Sequence, residues 1–111
     1  MDFQKIQDLV FETYKKDGYF DTWEKIEKIL EPHGYAGIAQ LAEVGLFHTE
    51  VAESQEEVRN MSKGKLRKEL ADIMIRIMCF ASRKGIDLEK EILQVNGKNM
   101  KREHLHGRKL L

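Results

Sequence analysis

The stretch KELADIMIRIMCF, residues 68–80, decides the fold. At about 100° per residue, Leu66, Leu70, Ile73, Ile77 and Phe80 fall on one helical stripe. Ile75 and Cys79 fall on nearly the opposite side, and Glu69, Asp72 and Arg76 occupy the strip between. A helix that is apolar on two sides is expected to be largely buried. The same period continues in both directions, so the spacing predicts a helix over about 65–84, ended by Gly85.

Upstream, Asn60 to Gly64 gathers polar and glycine residues and reads as a turn. A second long helix precedes it, from about Ala36 to Arg59. Two long helices joined by a short turn form an antiparallel hairpin. At the N-terminus, Phe3, Ile6, Val10 and Tyr14 make a helical stripe to about Asp17, capped by Gly18. Asp21 and Glu24 have capping-box spacing and open a short helix carrying Trp23, Ile26 and Leu30. Pro32, Gly34 and Gly37 break the chain. Downstream, Asp87 caps a last helix from Leu88 to roughly Val95, and the segment from Asn96 onward is expected to be partly irregular. The reading is one all-α domain over residues 1–111. Its hairpin spans about 36–84, and a short C-terminal helix and basic tail span about 88–111.

Composition narrows the function classes. The chain has 111 residues, 41% apolar and 34% charged, with 19 Lys and Arg against 19 Asp and Glu. A chain this short hides only about two-thirds of its unfolded surface. The hairpin is therefore expected to complete a four-helix-bundle-type core through oligomerisation. Zero net charge argues against nucleic-acid binding, which needs a cationic surface. One cysteine, Cys79, excludes an internal disulfide and fits a reducing, cytoplasmic setting. No apolar run approaches the roughly 20 residues that span a bilayer, and the N-terminal residues lack a signal-peptide layout.

Charge is unevenly placed. Lys98, Lys101, Arg102, Arg108 and Lys109 face one acid, Glu103, after position 96, while Glu43, Glu50, Glu53, Glu56 and Glu57 share the first long helix with Arg59 alone. Carboxylates three apart lie on one helix face. Five such pairs occur: Asp21/Glu24, Glu24/Glu27, Glu50/Glu53, Glu53/Glu56 and Glu69/Asp72. The hairpin singles out two of them. Glu50 and Asp72 are equally far from position 61, inside the turn, and so are Glu53 and Glu69. Buried carboxylates set opposite one another repel and take up protons unless a cation intervenes. Four hard oxygen donors suit Mg²⁺ or Mn²⁺. The alternative is structural: Arg76 pairs with Asp72, and Lys68 with Asp72 or Glu69. His33, His48, His104 and His106 show no metal-ligand spacing. Tyr14, Tyr19, Phe20 and Trp23 are candidates to stack on a base, with core packing as the other role for Trp23.

In order and spacing, Glu50-x-x-Glu53, Glu69-x-x-Asp72 after a 15-residue separation, Gly85-Ile-Asp-Leu88, Asn99-x-x-Arg102 and His106-Gly-Arg-Lys109 resemble the MazG-like nucleoside triphosphate pyrophosphohydrolases. The resemblance implies a Mg²⁺ site on Glu50, Glu53, Glu69 and Asp72, and phosphate contacts from Asn99, Arg102 and Lys109; Lys98 or Lys101 is the substitute for the lysine that many members carry at the place of Val95. It implies hydrolysis of a nucleoside triphosphate to monophosphate and pyrophosphate, and a homodimer or homotetramer with a shared bundle core. Two positions depart from the common pattern: Thr49 precedes Glu50 where many members have a second glutamate, and Val95 stands where many have lysine. They favour the rival reading, a non-catalytic helical dimerisation or partner-binding module that keeps the fold. A metal-free structural bundle is the third.

Overall fold

The computed structural model describes residues 2–61 and 63–101. These form five helices: α1 (Phe3–Lys16), α2 (Asp21–Leu30), α3 (Ala36–Arg59), α4 (Lys63–Arg83) and α5 (Leu88–Lys101). No strand occurs among the described residues, and the all-α expectation holds.

Local chemistry sets most of the helix ends. The Asp2 carboxylate accepts from the Lys5 N–H at 2.9 Å and starts α1. Gly18 lies at φ +75°, where a side chain is strained, and turns the chain into α2. The capping box at Asp21/Glu24 does not form. The Asp21 N–H donates to the Gly18 carbonyl at 3.1 Å and Phe20 takes the N-cap position, which leaves Asp21 and Glu24 inside the first turn of α2. There they favour the positive end of the helix dipole. A single 3-10 turn, Glu31–His33, contains Pro32, and Gly34 at φ +78° closes it. The Asp87 carboxylate accepts from the Lys90 N–H at 3.1 Å and opens α5 as expected.

Two boundaries differ from the expectation. Helix α4 begins at Lys63, with Gly64 inside its first turn. Helix α5 runs on to Lys101, through Asn96 and Gly97. A glycine inside a helix costs only about 1 kcal/mol, and Lys98 and Lys101 at its end suit the negative pole of the dipole.

Helices α3 and α4 pack as an antiparallel hairpin, with α1 against α4, α2 against α3, and α5 mainly against α1. Phe47 meets Phe80 edge to face across the hairpin, centroids 6.0 Å apart. Phe11, Tyr19 and Phe20 form an aromatic cluster where α1 turns into α2. The fully buried apolar residues described are few: Phe20, Ala39, Met78, Cys79 and Ala81. Buried beside them are three polar residues, Gln7, Glu43 and Glu50. Gln7 Nε2 donates to Ser82 Oγ at 2.9 Å and to the Ile86 carbonyl at 3.0 Å, tying α1 to the end of α4. Large apolar side chains remain outside: Ile38, Leu41, Val51 and Val58 on α3, and Leu93 and Val95 on α5.

Candidate active site

Glu43 and Glu50 lie seven residues apart on the inner face of α3, both buried. Each meets an arginine of α4, and those arginines are also seven apart. Arg83 Nη2 donates to Glu43 Oε1, and Arg76 Nε donates to Glu50 Oε1 at 2.6 Å. The first pair continues into a network, in which Glu27 of α2 accepts from Arg83 at 2.7 Å and from Lys84 Nζ at 2.8 Å. Burial pushes the Glu27 carboxyl up, but the hydrogen bonds from Lys84 and Arg83 outweigh it and hold that carboxyl below its usual value. One more step of seven along α4, from Arg76 toward the turn, reaches Glu69, an acid.

The carboxylates gather there. One oxygen each from Glu50, Glu69 and Asp72 lie within 4.8 Å of one another. Glu53 is within hydrogen-bonding reach of Glu69. The two i, i+3 pairs therefore do face each other across the hairpin. They are not uniformly buried. Glu50 is buried and Glu69 half-buried, but Glu53 and Asp72 are exposed, because they lie on the solvent edge of the α3–α4 seam. The cluster is thus open on one side. The Glu69 carboxyl is pushed up to about 7, first by the hydrogen bond it shares with Glu53, then by burial, then by the charges of Glu53, Asp72 and Glu50. Its Oε2 is shut away from solvent with no hydrogen-bond partner among the described residues.

The expected structural pairings are not those observed. Arg76 crosses to Glu50 instead of binding Asp72 on its own helix, and Lys68 makes no ion pair among the described residues. Glu53, Glu69 and Asp72 have no ion pair with a cation among the described residues.

These residues fit a divalent ion. The donors are hard carboxylate oxygens of the kind that Mg²⁺ takes, and three of them converge to within 4.8 Å of one another. A cation would also supply the partner that Glu69 Oε2 lacks. Beside the cluster lies a pocket of about 190 Å³, lined by Tyr14, Tyr19, Glu50, Asp72, Ile75, Arg76 and Cys79. Of the four aromatic residues considered for base stacking, Tyr14 and Tyr19 reach this pocket; Phe20 is buried against Phe11. Burial pushes the Cys79 thiol up to about 11, so it stays protonated and serves as packing.

The phosphate side is less assembled. Lys98 and Asn99 lie exposed on α5 and make no hydrogen bond or ion pair with the acidic cluster among the described residues. Arg102 and Lys109 fall outside the described residues, as do His104 and His106. The Glu43–Arg83–Glu27–Lys84 network was not anticipated. Its signal was present as the shared seven-residue step of Glu43/Glu50 and Arg76/Arg83.

No helix among the described residues is long and apolar enough to cross a membrane. No curated protein and no solved structure matches the chain. The family model of the MazG nucleotide pyrophosphohydrolase domain matches residues 42–106, more than half of the sequence, including Glu50, Glu53, Glu69 and Asp72. With its two acidic motifs facing each other across that hairpin, the chain belongs to the MazG nucleotide pyrophosphohydrolase family.

Proposed function

We propose that this chain is a Mg²⁺-dependent nucleoside triphosphate pyrophosphohydrolase that turns a ribo- or deoxyribonucleoside triphosphate and water into the monophosphate and pyrophosphate, as a house-cleaning activity on the nucleotide pool. The observation that carries the reading is the meeting of Glu50, Glu69 and Asp72 in a MazG domain, with no cation paired to Glu69 among the described residues. Glu50, Glu53, Glu69 and Asp72 are the proposed ligands, for Mg²⁺ or Mn²⁺. When bound, the ion lowers the pKa of water and neutralises phosphate charge.

The protein's own part is placement. Arg76 fixes one oxygen of Glu50, and Glu69 is held between its neighbours. Glu53 is exposed and in reach of Glu69, so an oxygen of Glu53 not engaged with the ion would have room to accept the proton of the attacking water. The water oxygen bonds to the α-phosphorus, the bond from that phosphorus to the β-bridging oxygen breaks, and pyrophosphate leaves. Lys98, Asn99, Arg102 and Lys109 are assigned to the phosphates, a role supported by the excess of cations after position 96 and by the family resemblance.

A homodimer or homotetramer is part of this reading. Ile38, Leu41, Val51 and Val58 on α3 and Leu93 and Val95 on α5 remain exposed on a chain with a thin core. The free, buried Cys79 suits a cytoplasmic setting.

The test is a panel of nucleoside triphosphates incubated with Mg²⁺, with products resolved by ³¹P NMR. Monophosphate and pyrophosphate are expected. Diphosphate and orthophosphate would contradict the reaction. Mg²⁺ binding with no product from any nucleotide would favour the non-catalytic module, to which Thr49 and Val95 point.

A further inference from the structure

We propose that Arg76 is a substrate-binding residue that takes a phosphoryl oxygen of the nucleotide in the pocket beside the carboxylate cluster; this rests on the proposed function and names how that site holds its substrate. An arginine offers five N–H donors in a rigid plane. Arg76 uses its Nε–H on Glu50 at 2.6 Å and one Nη1–H on the Tyr19 hydroxyl at 3.2 Å. No other described residue accepts from it, so three N–H bonds remain. The residue lines the 190 Å³ pocket together with Glu50 and Asp72, two acids of the cluster.

Three features favour an anionic oxygen as the ligand. The guanidinium is held on two sides, by an acid of α3 and a phenol from the α1–α2 turn, so its plane is fixed before the ligand arrives, and little rotamer freedom is lost on binding. Its geometry matches phosphate oxygens in pairs. The Tyr19 hydroxyl, accepting from Arg76, keeps its own O–H to donate into the same pocket. A phosphate chain drawn to an ion that Glu50 and Asp72 would hold would enter the pocket that Arg76 also lines. Lys98 and Asn99 are on α5, packed against α1, whereas Arg76 is the cation that the described chain places in the pocket. The remaining walls, Tyr14, Ile75 and Cys79, are aromatic or apolar and offer no competing cation.

The probe is inorganic tripolyphosphate, which carries the phosphates without base or sugar, bound to the full chain in Mg²⁺ and followed by calorimetry. A free nucleoside is the second probe. Arg76→Gln should weaken tripolyphosphate binding about 10- to 100-fold, the range for a hydrogen bond to a charged group. Arg76→Lys, which keeps the charge and loses the fork, should fall between parent and Arg76→Gln. Nucleoside binding should not change. In the absence of phosphate, Mg²⁺ should still raise the melting temperature of both variants, though by a different amount, because Glu69 and Asp72 do not depend on Arg76 for their place in the cluster. Equal tripolyphosphate affinity in parent and Arg76→Lys and Arg76→Gln overturns the proposal. Loss of the Mg²⁺ response with unchanged tripolyphosphate affinity also overturns it and makes Arg76 a positioning residue for Glu50. A weakened nucleoside with unchanged tripolyphosphate would move Arg76 to the base and overturn it too. If Arg76→Gln does not fold by circular dichroism, Arg76→Lys decides alone. A parent that binds Mg²⁺ and tripolyphosphate through Arg76 yet hydrolyses no nucleotide would sink the pyrophosphohydrolase reading and leave Arg76 as a phosphate ligand. A hydrolysing parent with indifferent Arg76 variants would sink only the role of Arg76.

Discussion

The two ends of the α3–α4 hairpin treat the same side chain in opposite ways. Away from the turn, every inward acid has a cation: Glu43 meets Arg83, and Glu27 meets both Arg83 and Lys84. Nearer the turn, Glu50 has Arg76, but the next position of the same α4 face is Glu69, and the acids outnumber the cations. One end is neutralised by the chain itself, and the Glu27 carboxyl is held low. The other is left with surplus negative charge, and the Glu69 carboxyl is pushed up to about 7. Acids completed from within serve the fold. Acids that repel one another raise the free energy of the metal-free protein unless one of them takes up a proton or a cation binds among them.

The largest expected effect lies at the neutralised end. Arg83→Ala would leave Glu43 buried without its cation, while Glu27 keeps Lys84, and removing one member of a buried ion pair costs about 3–5 kcal/mol. Urea unfolding of this variant should show a loss of that size, and a loss under about 1 kcal/mol would erase the distinction, since exposed pairs are worth no more than that.

At the other end the same kind of change should spare the fold and remove the activity. Asp72→Asn and Glu53→Gln keep shape and delete a charge. Pyrophosphate release should drop at least about a hundredfold, since even the loss of an outer partner to a metal ligand costs about 10- to 100-fold, while metal-free stability stays level or rises. A stability loss comparable to that of Arg83→Ala would mean that these acids are also structural partners.

A smaller effect follows from pH, with opposite signs at the two ends. In chelator, Glu69 binds its proton more tightly folded than unfolded, so stability should increase as pH falls from above 7 toward 4.5. Glu27 is held low, so its contribution is present above 4.5 and is lost as pH falls below that value. Thermal melts should therefore peak near pH 5 instead of at neutrality. A curve rising steadily from pH 5 to 8 would reverse the assignment of the two ends.

How much of this could be read from residues alone differs between the ends as well. The hairpin and the acid facing were legible because a short turn fixes register: Glu53 and Glu69 sit at equal distance from position 61, and they meet. The ion-pair network was not, because Glu43 reads as one more member of an acidic run and Arg83 as a basic residue ending its helix. Only the packing of α2 against α3 brings Glu27 to them. Depth of burial is a second property that residue spacing does not carry. Glu53 and Asp72 lie on the open edge, which periodicity places on a face but cannot rank by depth. Helix α5 ran past Asn96 and Gly97 because polar residues and one glycine only weaken a helix.

The smallest effect on stability is expected in the tail. Arg102→Ala should raise the Michaelis constant for a triphosphate and leave the melting temperature near that of the parent. An unchanged Michaelis constant would remove the tail from the site.

The account rests on the surplus of acid at Glu50, Glu53, Glu69 and Asp72, and one comparison reads it directly: the melting temperature of the parent and of Asp72→Asn, each in Mg²⁺ and in chelator. Mg²⁺ at a hundredfold excess over its dissociation constant should stabilise the parent by about 2.7 kcal/mol, and should stabilise Asp72→Asn far less. A parent that melts at the same temperature in saturating Mg²⁺ and in chelator would contradict the metal site, and the reaction proposed for it.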